Sequence, residues 1–321
     1  MSVALLAEKS SQEWTEKLFS GDPERRFPWA CQWELTCRCN LKCVMCYTDC
    51  FNTPERIGQE LSTEEIFRIL TELQEIGCMH LTFTGGEAMG RPDFMDIYEE
   101  AHRRGFFITV FTNGTLITPE IADRWARARP KSVEISLHGI SSEIFDGVTQ
   151  ISGSFQRCLR GIELLIERNI PLVLKTVGLA LNKKEILAIK RYAESLGSGV
   201  KWTFGQYMRD DLERSGAPFR FQLAEEELQE LERQDPKLWE AKCEEVDRIE
   251  SVKPACGGGK RKLHIDAYGQ LQLCSNNRRA SYDLRKGTLA HGFYEVLPTF
   301  PCPRRSNLTD LKPCGCKSGE E

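Results

Sequence analysis

The chain lacks a long hydrophobic run. No stretch approaches the roughly 18 apolar residues a membrane helix needs, which argues against a membrane-spanning protein. It also lacks a basic excess. Lys and Arg number 43 against 47 Asp and Glu, for a net charge of −4. Phosphate backbones are bound chiefly by Lys and Arg, so nucleic acid is not an expected partner. The opening MSVALLAEKSSQEW has a short apolar patch but no basic start and soon turns polar. That reads against a signal peptide and for the cytoplasm. Hydrophobic residues make up 40% and charged residues 28% of 321, which argues against disorder, collagen or coiled coil for the bulk. The length suits about two structural units.

Cysteine is the residue the chain does not lack, with 14 in all. A chain this long buries its own core without disulfide staples. In a reducing compartment, clustered cysteines read as metal or cluster ligands. Cys31, Cys37, Cys39, Cys43, Cys46 and Cys50 crowd one stretch, and Cys256, Cys274, Cys302, Cys314 and Cys316 crowd the end. Only Cys78, Cys158 and Cys243 lie between.

The middle alternates strand and helix signals. Gln32–Thr36 reads as a strand. Ser62 to Gly77 reads as a helix, with Ser62 and Glu65 as a capping box and Ile66, Ile69, Leu70, Leu73 and Ile76 at helical spacing. Strands are expected at His80–Thr84, Phe107–Thr112, Val133–Leu137, Leu172–Val177 and Val200–Tyr207. Helices are expected at Pro92–Gly105, Pro119–Ala128, Phe155–Arg168, after Asn182 and Glu185, and from Leu223 toward Ile249. Parallel neighbours need helical crossovers, so six such pairs imply a parallel α/β sheet. The strands read as largely apolar on both faces. A doubly wound sheet and a partial barrel both fit, and in either the chemistry collects at the C-terminal strand ends. Lys262–Asp266 and Gln270–Cys274 then read as a hairpin turning at Tyr268-Gly269. The tail from Phe300 is rich in Pro, Cys and Arg, and a bound metal or cluster would stabilise so apolar-poor a segment.

Cys39-Asn-Leu-Lys-Cys43-Val-Met-Cys46 directly follows the first strand. Thiolates are soft ligands that suit iron–sulfur clusters and zinc. A structural zinc normally takes four protein ligands, whereas three fit a cubane with one open iron. A zinc knuckle completed by Cys37, Cys50 or a distant residue is the other reading.

Glu34-Leu-Thr-Cys-Arg-Cys-Asn-Leu-Lys-Cys-Val-Met-Cys-Tyr47 closely resembles the cluster signature of radical S-adenosylmethionine (SAM) enzymes. The resemblance implies a [4Fe–4S] cluster on Cys39, Cys43 and Cys46, with SAM on the open iron. It implies reductive cleavage of SAM to a 5′-deoxyadenosyl radical that abstracts a substrate hydrogen. Met45 stands where an aromatic adenine contact is usual. Gly85, Gly86 and Glu87 resemble the element that contacts the SAM amino group, although the usual following proline is absent. Glycines let a ligand approach the backbone and a carboxylate accepts from an ammonium. Asn113, in Thr-Asn-Gly, and Ser136, in Ser-Leu-His-Gly, resemble residues that line the SAM site. His138 stands where aspartate is common and could titrate near neutral pH. Lys175 is carried as a paired lysine or a contact.

Cys256, Gly269 and Cys274 resemble the opening of a SPASM or shorter twitch extension, which binds auxiliary clusters. The full seven-cysteine pattern is missing. One auxiliary [4Fe–4S] cluster on Cys256, Cys274 and two of Cys302, Cys314 and Cys316 is therefore expected, with zinc as the other reading. Cys31, Cys37, Cys50, Cys78, Cys158 and Cys243 are read as structural. Arg278-Arg279 and Arg304-Arg305 are read as solvated surface rather than an acidic-substrate patch.

The architecture implied is an α/β partial (β/α)6 barrel of the radical SAM type. Residues 1–30 would flank it, 31–249 would form the core, and 250–321 a small iron–sulfur extension. The implied activity is radical modification of a ribosomal peptide or protein side chain, fed by a low-potential donor such as ferredoxin or flavodoxin. Radical oxidation or epimerisation of a small sugar or alcohol is the alternative. A non-catalytic metal-binding or iron–sulfur carrier is the alternative of another class. The first 30 residues are too few for an independent peptide-recognition domain.

Overall fold

The computed structural model describes residues 25–48, 52–205, 208–209, 215–252 and 258–301. Six strands alternate with helices: β1 (Ala30–Thr36), α1 (Pro54–Ile57), α2 (Thr63–Glu75), β2 (His80–Gly85), α3 (Phe94–Arg103), β3 (Phe107–Thr112), α4 (Pro119–Arg127), β4 (Ser132–Ser136), α5 (Ser142–Thr149), α6 (Ser154–Glu167), β5 (Leu172–Val177), α7 (Ile186–Ser195) and β6 (Val200–Gly205). Then come α8 (Glu225–Arg233), α9 (Pro236–Val252), β7 (Lys262–Ile265), β8 (Gln270–Gln272) and β9 (Tyr282–Asp283). The helix over 62–77 forms as its capping box predicts. Ser62 accepts from the Glu65 amide, Glu65 answers the Ser62 amide, and Ile66, Ile69, Leu70 and Leu73 are buried. Such a cap stabilises a helix by about 1 kcal/mol.

The strand order β6-β5-β4-β3-β2-β1-β7-β8-β9 decides between the two topologies. From β1 to β6 the strands lie in chain order and every pair is parallel. A doubly wound sheet reverses direction at a switch point, and among β1 to β6 there is none. Right-handed crossovers that all step the same way leave every helix on one face. That is the connectivity of a partial (β/α)6 barrel, and within the described residues β6 and β9 are the open edges of the sheet.

The strands, expected to be largely apolar on both faces, are apolar chiefly on one. Cys31, Trp33, Leu35, Leu81, Phe83, Ile108, Val110, Val133, Ile135, Leu172 and Leu174 join the core under the helices. Most alternate positions are polar, with Gln32, Glu34, Thr82, Thr84, Thr109, Glu134 and Lys175, while Phe111 and Val173 are apolar. A single layer of helices covers only one face, so the other can stay polar.

The hairpin forms as expected, with Gly269 at φ +81° in its turn. Its place is new: β7 pairs parallel with β1, so the hairpin extends the main sheet. Leu271, Leu273, Leu284, Leu289 and Phe293 belong to the same core as the barrel. Arg285 ties this region to α2 through Glu65 at 2.7 Å and the Gln59 and Glu60 carbonyls at 3.0 and 3.1 Å. No helix among the described residues is long and apolar enough to cross a membrane.

Candidate functional site

Because β1 to β6 are parallel, the ends of all six strands meet on one rim, and the cysteine loop leaves β1 on that rim. The loop is held along its length. Asn52 clamps Cys39, accepting from its amide at 3.1 Å and donating to its carbonyl at 2.8 Å. The Lys42 and Val44 amides donate to the Thr149 and Val148 carbonyls at the end of α5. The Cys46 amide donates to the Cys43 carbonyl at 3.0 Å, which closes the turn containing Met45. At the base of the loop, Glu60 accepts from the Thr36 hydroxyl at 2.6 Å and the Cys37 amide at 2.9 Å and pairs with Arg38 at 2.9 Å.

Exposure separates the cysteines. Cys39, Cys43 and Cys46 are half-buried, while Cys31, Cys37, Cys78 and Cys158 are buried. Burial pushes the thiols of Cys37, Cys78 and Cys158 up to about 12, so these remain protonated small hydrophobes. Among the described residues no three His, Cys, Asp or Glu side chains gather around one ion. A cubane is held differently, each thiolate bonding a different iron.

Gly85 ends β2, Gly86 follows it, and both pack against the loop. A Cβ on Gly85 (φ +145°) would sit 2.2 Å from the Thr36 carbonyl oxygen, and one on Gly86 2.4 Å from that of Arg38. The close approach that these glycines serve is made first by the chain's own backbone. The Gly86 amide donates to the Thr36 carbonyl at 2.9 Å and the Glu87 amide to that of Arg38 at 2.7 Å.

Glu87 is fully buried. Its carboxylate accepts from the Thr112 hydroxyl at 2.9 Å, the Asn113 amide at 2.7 Å and the Met89 amide at 3.2 Å. All three donors are neutral, and no cation among the described residues pairs with it. Burial therefore dominates and raises its pKa to about 7. A buried carboxylate with neutral donors is what an arriving ammonium would complement. The Asn113 side chain links the strand ends to the loop, donating to Asn40 at 2.9 Å and reaching Cys39 Sγ at 4.0 Å. Asn40, Asn52 and Thr115 belong to the same hydrogen-bonded frame, and their spacing in the sequence carried no sign of it.

Ser136 ends β4 opposite Lys175 in register. Lys175 is the paired lysine of the two readings, 3.1 Å from Glu134 and 3.7 Å over the Phe111 ring. His138 does not titrate near neutrality. It is buried, its Nδ1 accepts from the Val177 amide at 3.3 Å, and burial lowers its pKa to about 4. Cys274 is described, half-buried just past β8 in a bridge with Asn277. Cys256, Cys302, Cys314 and Cys316 lie outside the described residues, as do Cys50, Tyr207, Arg304, Arg305 and residues 1–24.

Arg278 corrects the surface reading. Its side chain is only 18% exposed and forms a bidentate pair with Glu34, itself 1% exposed.

The fold and the rim define a (β/α)6 protein with a thiol loop beside a buried carboxylate. The radical SAM superfamily matches residues 33–193, half of the chain, and the chain belongs to that superfamily of enzymes. The family implies a [4Fe–4S] cluster and SAM, and it sets aside the carrier reading. The AdoMet-dependent heme synthase of Methanosarcina barkeri is 34% identical over 52% of this chain and 47% of its own length. The mycofactocin maturase MftC of Mycobacterium tuberculosis is 38% identical over 41% of this chain and 33% of its own. The match thus spans less than half the length of either relative. Among solved structures, Streptococcus suis SuiB bound to its precursor peptide SuiA superposes with a TM-score of 0.67 at 13% identity, covering 92% of this chain and 73% of that one. At that identity the likeness is one of fold.

Proposed function

We propose that the chain holds a [4Fe–4S] cluster on Cys39, Cys43 and Cys46 and, with SAM, modifies a side chain of a ribosomally made peptide or protein. The observation that carries this reading is the meeting, on one rim, of a half-exposed thiol loop and a buried carboxylate that has only neutral donors. When bound, the pair supplies reductive cleavage of SAM to methionine and a 5′-deoxyadenosyl radical that takes a hydrogen atom from the substrate. The residues of the chain position this chemistry. Asn52 and Asn113 fix the Cys39 end of the loop, and Gly85 and Gly86 let β2 close against it. Glu87 receives the ammonium, while Met45 and Ser136 line the same pocket. The reaction class is thioether formation, carbon cross-linking or epimerisation, with electrons from a ferredoxin or flavodoxin.

A peptide substrate is supported by relatives named mycofactocin maturase and PqqA peptide cyclase, and by the SuiB complex with SuiA. The relatives named heme synthase and Fe-coproporphyrin III synthase favour a second reading, a tetrapyrrole substrate. Residues 31–249 form the core in this reading. Residues 250–321 hold one auxiliary cluster, with Cys274 at the end of the hairpin and Cys256 and two of Cys302, Cys314 and Cys316 as the other ligands.

The test is anaerobic reconstitution, reduction with dithionite and measurement of 5′-deoxyadenosine. Wild-type protein should release it, and Cys39→Ala, Cys43→Ala and Cys46→Ala variants should not. An iron-replete, reduced wild type that leaves SAM intact would refute the proposal.

A further inference from the structure

The inner face where β1, β7 and β8 meet is polar, and none of the chemistry above employs it. Glu34 on β1, His264 on β7 and Gln272 on β8 are 1%, 0% and 3% exposed. His264 lies beside Gln32 and opposite Gln272 in register, so all three side chains share the face turned away from the helices. Arg278 reaches over this face to Glu34, and its Nε donates to the Ser275 carbonyl at 3.1 Å. Asp266 is occupied by the hairpin, accepting from the Tyr268 and Gln270 amides at 2.9 Å and from Gln272 Nε2 at 3.2 Å.

Several buried polar atoms remain without a hydrogen bond: both ring nitrogens of His264, Gln272 Oε1 and Arg209 Nη1. Glu34 Oε1 lies 3.7 Å from His264 Nε2, too far for a hydrogen bond. A buried polar atom left without a hydrogen bond is costly, so together these atoms mark a place where something polar belongs. Its charge follows from the cations. The guanidinium groups of Arg209 and Arg278 both pack on the Tyr47 ring, at 4.8 and 5.6 Å from its centre. Arg278 is spent on Glu34, whereas no carboxylate among the described residues pairs with Arg209. A planar guanidinium with a free buried donor fits a carboxylate fork to fork. Tyr47 directly follows Cys46, so the place adjoins the thiol loop.

We propose that Arg209, stacked on Tyr47 beside the buried Glu34–Arg278 pair, seats a carboxylate of the substrate, with His264 and Gln272 as polar floor. The substrate is thus an acid, carrying its carboxylate on a peptide side chain, on a peptide C-terminus or on a free organic acid. The proposal rests on the functional reading above for the word substrate. The binding itself needs no reductant and no radical.

The test is saturation-transfer NMR on the anaerobically reconstituted full chain without reductant, with SAM at saturation so that its own carboxylate is already seated. Propionate should bind and propionamide should not. Arg209→Met should weaken propionate by about tenfold or more, the loss of one charge-assisted pair. Competition by N-acetylalanine or by N-acetylglutamate α-amide then assigns the carboxylate to a C-terminus or to a side chain. Displacement by neither assigns it to a free acid. Equal binding of propionate and propionamide to wild type, measured with no variant involved, would overturn the proposal. So would loss of propionate binding on adding SAM, or a folded Arg209→Met protein that binds propionate as wild type does. A chain that binds propionate selectively yet never cleaves SAM would refute the functional reading and leave this site standing.

Discussion

The hydroxyl of Thr112, the last residue of β3, reaches the carboxylate of Glu87 just past β2, at 3.0 and 2.9 Å from its two oxygens. The same oxygen accepts from the Gly114 amide at 2.9 Å. One threonine thus holds a buried anion and the turn that carries Asn113. Thr112→Val keeps the shape and removes both bonds. It should cost about 1–3 kcal/mol, the usual penalty for stranding a buried acceptor, read as a lower urea midpoint with unchanged slope.

Glu87 also makes stability depend on pH. Its folded pKa, about 7, lies above its unfolded value of 4.5. The native state therefore binds the proton more tightly. The stabilisation is full below about pH 4.5 and lost as pH rises through about 7. His138 and His264 act in the opposite direction, with folded values of about 4 against 6.5, so their contribution is lost as pH falls through that window. Glu87→Gln removes only the first effect. Its stability relative to wild type should rise by on the order of 3 kcal/mol between about pH 5 and pH 8, measured by denaturant titration at each pH. A constant difference across that range would refute the buried, unpaired state of Glu87.

Gly85→Ala places a methyl against the Thr36 carbonyl oxygen, and Gly86→Ala places one against that of Arg38. Backbone cannot yield as a flexible side chain would, so β2 must move off the thiol loop. Each variant should lose about 1–3 kcal/mol. Each should also retain less iron after reconstitution, by colorimetric assay, than Gly147→Ala, where a Cβ meets open space.

Arg278→Met leaves Glu34 charged and nearly buried without its partner. The expected cost is about 3–5 kcal/mol, whereas Arg278→Met combined with Glu34→Gln should recover much of it. Chemical denaturation of the two variants and wild type gives the comparison. Equal losses in the single and double variants would show that packing, not charge, holds this region.

Replacing Cys39, Cys43 and Cys46 together by alanine tests the C-terminal cysteines. About four irons per chain should remain, as for one cubane, with the Mössbauer signature of an auxiliary [4Fe–4S] cluster. No remaining iron would withdraw the auxiliary cluster.

Much of the fold was legible in the sequence because helices and strands declare themselves through local periodicity. The Ser62 capping box, the six strands and the hairpin at Gly269 stand where the pattern placed them. Helix α5 was missed. Ser141 caps it by accepting from Ile144, but eight residues with Gly147 inside make too short a period to read. The cysteine loop and the two glycines were legible as motifs. Asn52, Asn40 and Thr115 were not, since an asparagine that clamps a loop looks in sequence like one that turns it.

The sequence by itself determined which segments are strands or helices and which thiols sit close together along the chain. Only the tertiary structure decided the order of the strands, and with it the partial barrel and the polar inner face. It also decided that Arg278 is no surface residue but the partner of Glu34, 244 positions away. Local patterns record which side of an element is apolar. They carry no term for which strand will dock on an edge, and that docking of β7 on β1 is what brings the two charges together.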